Sequence, residues 1–376
     1  MRVSFNLYKK TILIILICIF YACFFSCGEY PQKGMFRVDL KNTGVFVNQT
    51  EILREPRVKL KIKLRSWIFA SPVFSDGNLL IGDTSGNLIA LTPSGEEAWR
   101  FKAKGTIYST PAVDDKSIYV GTMEGKFYAI DIHDHSVKWK LEFEFDKGTY
   151  ASPKVLNNTV YIGSLDGYFY AVDSQTGKVK WRFDTGERIY ATVAIDRGVG
   201  YIANHAGKLF AINLADGKAV WEKNVSQFGF LASPAIVDTL ILIGSMAGNL
   251  YAIGTQTGKE IWNFEADNAI SSSPAVYKNT VFFGSWGNSF YALNLANGAK
   301  KWQIKTANQV VGPSVIAGTM IYFGDKDGFL YGLDTLTGKE RWKFKTGGSI
   351  SCSPLIYDGG IYFGSQDRYF YGLQRQ

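Results

Sequence analysis

Cysteine, histidine and proline are all scarce in this chain of 376 residues, at 4, 3 and 10 residues. Cys18 and Cys23 lie in an apolar N-terminal run, Cys27 follows that run directly, and Cys352 stands alone near the other end. No two cysteines are adjacent, which excludes a vicinal disulfide, and Cys352 reads as a small buried side chain where other repeats carry Ala or Ser. Two of the histidines flank Asp134 in His133-Asp134-His135 and His205 is the third. So few imidazoles make a solvated turn the reading of that tripeptide, and no metal site is expected. No long amphipathic helix is visible. The longest apolar run, residues 12–25, is shorter than the roughly 20 helical residues that span a bilayer. Excess charge is also small: the formal net charge is +8, but from residue 27 onward it is 38 basic against 33 acidic side chains. The lysines are scattered through turns, which describes a solvated surface and excludes a nucleic-acid footprint.

What is present in abundance is glycine, at 39 residues, with aromatics at 15%. That combination suits many short strands joined by glycine turns. At the N-terminus, three basic residues precede the apolar run and small residues surround Cys27, so residues 1–26 read as a signal peptide. Phe24-Phe25-Ser26-Cys27 resembles a bacterial lipobox, which implies a lipidated Cys27 as the first mature residue, anchored by several acyl tails. Phe24 stands where lipoboxes usually carry Leu, leaving ordinary secretion as the alternative. Gly28 after the cysteine is, by the same resemblance, compatible with an outer membrane.

One unit recurs eight times and is followed through Ser71-Pro72, Thr110-Pro111, Ser152-Pro153, Thr192-Val193, Ser233-Pro234, Ser273-Pro274, Gly312-Pro313 and Ser353-Pro354. A period near 40 residues fits a four-stranded propeller blade. Two-helix repeats of similar length are excluded by the local pattern, in which short β-branched or aromatic runs such as Ile118-Tyr119-Val120 alternate with glycine turns. In Asp173-Ser174-Gln175-Thr176-Gly177-Lys178, Asp can bond its own turn backbone and Gly supplies positive φ. A tryptophan closes each of the first seven units, at Trp99, Trp139, Trp181, Trp221, Trp262, Trp302 and Trp342. These are expected to wedge between blades, each burying on the order of 150–250 Å².

The eighth unit ends after its third strand. Val58, Leu60, Ile62 and Leu64 alternate with Lys59, Lys61 and Lys63 at strand period, immediately before the first Ser-Pro unit. The expected architecture is therefore all-β, an eight-bladed propeller of four-stranded antiparallel blades over residues 58–376. The N-terminal strand completes the last blade, and residues 27–57 are left as a lipidated tether.

The unit Gly-x-Phe/Leu-Tyr-Ala-x-Asp-x-x-Thr-Gly-Lys-x-x-Trp resembles the pyrroloquinoline-quinone (PQQ) type propeller repeat across residues 58–376. Two branches of that superfamily imply different functions. The BamB branch, lipoproteins of the outer-membrane β-barrel assembly machinery, implies a non-enzymatic scaffold without a cofactor, docking a barrel subunit through a loop arginine. Arg188 in Glu187-Arg188-Ile189-Tyr190 matches that loop, whereas Phe228-Gly229-Phe230-Leu231 occupies the place of the expected acidic partners. The quinoprotein dehydrogenase branch implies PQQ, Ca²⁺ and a vicinal disulfide, which this chain cannot make. Three residues before the landmark proline position lie Phe69, Tyr108, Tyr150 and Tyr190 on successive units, with Trp67 and Arg188 two positions earlier on the first and fourth. This set is a candidate partner-binding face for an extended peptide or protein, the alternative being that its rings simply pack between blades.

Overall fold

A computed structural model describes residues 34–144 and 147–375, so the signal peptide and Cys27 lie outside the described residues. Among the described residues, thirty-two strands, β1 to β32 in chain order, form eight antiparallel sheets of four. The first full blade shows the rule. Its strands are β2 (Val73–Ser75), β3 (Asn78–Gly82), β4 (Asn87–Leu91) and β5 (Glu97–Lys102), in that order from the ring centre outward. β3 and β4 are buried almost throughout, because neighbouring blades cover both of their faces. β5 alternates between exposed and half-buried residues, as an outer strand with one wet face must.

Ring closure follows the expected route. β1 (Arg57–Lys63) pairs antiparallel with β32 (Tyr369–Gln374), with an irregularity between Val58 and Leu60. Leu60 is buried at the tryptophan's place. Each indole from Trp139 onward donates its Nε1–H to a carbonyl at the next blade's outer turn: Trp139 to Ser174 at 2.9 Å, Trp221 to Thr255 at 2.9 Å and Trp262 to Leu295 at 3.0 Å. The turn glycine is required twice over. Gly177 has φ of +70°, and a Cβ there would meet the Trp139 ring at 2.7 Å. At Trp342 the covalent turn is missing, since the last blade is made from both chain ends, and the Ile52 carbonyl takes its place at 2.8 Å. Trp99 differs because His135 stands where later turns have glycine. The imidazole stacks on the indole at 4.3 Å, so this histidine packs between blades.

The Ser-Pro landmarks form a second ring. The backbone N–H at each Ser or Thr donates to the hydroxyl of its counterpart in the next blade, as from Thr110 to Ser152 (3.0 Å), Ser152 to Thr192 (2.9 Å), Thr192 to Ser233 (2.9 Å) and Ser353 to Ser71 (2.9 Å). The seventh blade breaks the relay and corrects the landmark read from the sequence. Its inner strand begins at Val315, so Pro313-Ser314, and not Gly312-Pro313, is the counterpart of Ser-Pro. Proline at the hydroxyl position gives Ser273 no acceptor and Ser353 no donor, and the Ser353 Oγ is left unpaired.

Residues 34–56, expected within a tether, are instead packed into the ring. From residue 34 to 46 the chain runs as a collar along the inner edges of successive blades. Its carbonyls accept from strand N–H groups that would otherwise face an empty channel: Gly34 from Val113 (2.8 Å), Leu40 from Ile195 (2.7 Å), Lys41 from Ile236 (2.9 Å), Thr43 from Val276 (3.1 Å) and Gly44 from Ile316 (2.9 Å). Unpaired edge groups are costly to bury, and this supplies their partners. Arg37 crosses from the third-blade side, where Phe36 and Asp39 accept from Lys154, to the carbonyls of Ser273 (2.5 Å) and Ser314 (3.2 Å). Asn42 donates to the carbonyls of Thr192, Val193 and Pro234. Arg37, Asn42 and Lys154 are all buried, so the centre of the ring is filled by the chain itself. Burial without a full complement of counter-charge pushes the Lys154 ammonium down to about 7 and the Arg37 guanidinium to about 9, Asp39 opposing both shifts.

Candidate partner-docking face

The candidate face is built by the loops that carry each outer strand to the next inner strand. In every loop one apolar or methyl-bearing residue turns inward against the end of a second strand. Ile107 packs on Gly82, where a Cβ would lie 2.5 Å from its methyl, and Thr149, Ile189, Ile270, Val310, Ile350 and Ile68 repeat the contact on Gly121, Gly163, Gly244, Gly284, Gly324 and Gly364. With that residue pinned, the next one is turned outward. Those outward positions are Phe69, Tyr108, Tyr150, Tyr190, Leu231, Ser271, Val311 and Ser351, the one-residue offset of the seventh blade moving the position from Val310, which is buried, to Val311. The hairpin turn between second and third strands fixes each loop from beside it, as Thr84 N–H donates to the Trp67 carbonyl at 3.0 Å and His205 N–H to the Arg188 carbonyl at 2.8 Å.

Four of the six expected residues are brought together. Phe69 and Tyr108 lie 5.0 Å apart between ring centroids, Tyr108 and Tyr150 stack at 4.8 Å, and Tyr150 and Tyr190 meet at 6.0 Å. His205 extends the arc, edge-on to Tyr190 at 5.2 Å. These rings therefore pack on one another across blade boundaries and still reach solvent, Tyr150 being 40% exposed. Burial, with Tyr108 and Tyr190 alongside, pushes the Tyr150 phenol up to about 12, so it stays a neutral donor across the physiological range. Trp67 is 54% exposed and lies outside the stack. Arg188 is outside it too, with only a 3.8 Å approach to Glu187. An exposed guanidinium so loosely paired contributes almost nothing to folding and remains available to a partner.

Phe228 was not singled out by sequence reasoning beyond its loop, yet it is 60% exposed while Phe230, two residues on, is completely buried. The repeat would have separated them: Phe230 holds the inward position equivalent to Ile107, and Phe228 does not. Elsewhere the candidates are structural. Cys352 is buried, its thiol pushed up to about 12 by desolvation, with Sγ against the backbone of Gly364. Among the described residues, no three His, Cys, Asp or Glu side chains converge as a metal-holding set.

Comparison with known proteins places this ring. A family profile described as outer membrane protein assembly factor BamB matches residues 51–144, 93–233 and 224–349. The chain belongs to the BamB family. A BamB from Nitrosomonas eutropha is 22% identical over 194 residues, covering 50% of this chain and 47% of the relative. The chain thus spans about half the length of the curated relative it matches. Among solved structures, BamB from Moraxella catarrhalis superposes with a TM-score of 0.73 at 21% identity, covering 85% of this chain and 100% of that one. Quinohemoprotein alcohol dehydrogenase from Comamonas testosteroni superposes at 0.79 with 14% identity, covering 93% and 81%. At such identities the structural likeness establishes the fold alone, and it extends to enzymes and BamB proteins alike.

Proposed function

We propose that this BamB-family chain is a non-enzymatic scaffold of the cell envelope, lipid-anchored through Cys27 after removal of residues 1–26, that binds a protein partner in outer-membrane β-barrel assembly. The observation carrying this reading is the aromatic arc from Phe69 to Tyr190, flanked by Trp67, Phe228 and Arg188. Rigid aromatics and a free arginine at one surface are the side chains that anchor protein interfaces, because they bury much area at little entropic cost. The arc is also fixed before any partner arrives, its rings held by one another and by the pinned loops beneath.

The residues present do not fit a quinone cofactor with its metal. The chain has no vicinal cysteines, the described residues assemble no acidic or imidazole metal set, and Arg37, Asn42 and Lys154 occupy the centre of the ring. Envelope membranes from a strain carrying a tagged chain should yield a barrel-assembly component on affinity purification. The double variant Tyr108→Ala with Arg188→Glu should lose that component while the ring stays folded, its cooperative unfolding transition kept. Recovery at the wild-type level would refute the docking face, and recovery of no assembly component by the wild type would refute the assembly role. In parallel, PQQ with Ca²⁺ should elicit no dye-linked alcohol oxidation.

A further inference from the structure

The closing strand β1 carries charge in a way the other outer strands do not. Arg57, Lys59, Lys61 and Lys63 lie along it with Arg54 before and Arg65 after, all six exposed. Glu55 is the sole acid between residues 54 and 65. Six of the other seven outer strands contain at least one acidic residue, and the exception, Lys300–Lys305, has its Lys305 paired with Asp267 at 2.9 Å. On β1 no ion pair among the described residues engages Arg57, Lys59, Lys61 or Lys63, and Lys61 rests instead over the Tyr369 ring at 4.9 Å. Lysines do guard exposed strand edges against pairing with other chains. That role calls for charge on the edge, and mixed charges satisfy it on six other blades, so it does not account for a row of one sign.

We propose that this row is a docking surface for anionic phospholipid headgroups. On the strand itself three of the four charges are ammonium groups on flexible stems, spread over about 20 Å at roughly 3.3 Å per residue. Such point charges suit a diffuse negative surface better than a single acidic side chain in fixed register, for which forked arginine donors are the better tool. Leu53 and Val58, 48% and 47% exposed, place apolar side chains beside the cations, where a headgroup boundary would take them up. The proposal rests on the envelope location given above but not on the barrel-assembly role or on acylation.

The test uses the unit from Gly34 to Gln376, which includes the collar and every strand and carries no acyl chain. Flotation with vesicles of phosphatidylcholine alone and of phosphatidylcholine mixed with phosphatidylglycerol, whose anionic headgroups supply a negative surface potential, reads the affinity. Binding is expected only to the anionic vesicles and is expected to fall as salt is raised. Each cation near such a surface strengthens binding about fivefold, so Lys59→Gln, Lys61→Gln and Lys63→Gln together should weaken it ~100-fold. The matched variant Lys300→Gln, Lys301→Gln and Lys305→Gln should leave it unchanged. Equal binding to neutral vesicles, no binding to anionic ones, or equal losses in the two triple variants would overturn the proposal. Because no assembly component enters the assay, its outcome is separate from that of the purification experiment.

Discussion

Lys154 offers a sharp test of the filled channel. Its ammonium is wholly buried, donates to the carbonyls of Phe36 and Asp39, and faces the charges of Asp39 and Arg37. Burial lowers its pKa from 10.5 to about 7. A base whose folded pKa is depressed binds its proton more weakly in the native state, so native stability is lowest when the unfolded chain is charged and the native chain must also be charged. The cost is fully present below about pH 7 and is relieved as pH rises toward 10.5. One pKa difference of one unit corresponds to about 1.4 kcal/mol, so stability should rise by about 2–3 kcal/mol between pH 7 and pH 9 from this group. Arg37, at about 9 in the fold, adds the same sign only at higher pH. Urea unfolding at pH 7, 8 and 9 should show this rise in the wild type, whereas Lys154→Met should lose most of it. The variant orphans two carbonyls and is expected to be less stable throughout, so the slope and not the level is the readout. Parallel slopes for the two proteins would refute a buried, depressed Lys154 and with it the packing of the collar.

Three further perturbations follow from other parts of the ring. Replacing Trp181 by Ala removes an indole wedged against the next blade's turn and should cost about 3 kcal/mol in denaturant unfolding, the lower end for a large aromatic because Trp181 is only partly buried; a loss under 1 kcal/mol would contradict the wedge. Pro313→Ser should restore the relay, giving Ser273 an acceptor and Ser353 a donor, and raise stability by about 1 kcal/mol; a destabilised variant would show that proline's rigidity outweighs the two bonds. Leu60→Asp puts a charge at the closing strand's buried position and should lower the melting temperature by several degrees through the last blade, with hydrogen exchange accelerating first in β32. Uniform acceleration across all blades would mean that closure is not the local weak point.

The eight blades, the tryptophan ring and the completion of the last blade by residues 57–63 were legible because each rests on a period repeated along the chain. In the seventh blade the proline stands one residue ahead of its place in the other repeats, and the register is set instead by the inward Val310 and the strand beginning at Val315. The arc was legible as aromatics at one repeat position; that they stack on each other and on His205 depends on blade-to-blade geometry, which no local pattern carries. The collar was illegible for a different reason. Its bonds are made by backbone carbonyls to six different blades, so residues 34–46 need no alternation and show none. One side chain did carry a trace: Lys154 stands where the equivalent inner-strand positions hold Val73, Ala112, Ala194, Ala235, Ala275, Val315 and Leu355. A lone lysine in an otherwise apolar column implies carbonyls arriving from elsewhere in the chain.

The collar also sets an order of events. Residues 34–46 are synthesised before their partners Val113, Ile195, Ile236, Val276 and Ile316, which emerge progressively later, and β1 cannot pair until β32 exists. The opening segment can therefore complete its pairing only blade by blade as those partners appear, and β1 only once β32 is available. A chain stopped short of its final blade would retain most of its sheets but have no means of fastening its beginning, leaving a ring that is folded in its parts and open as a whole.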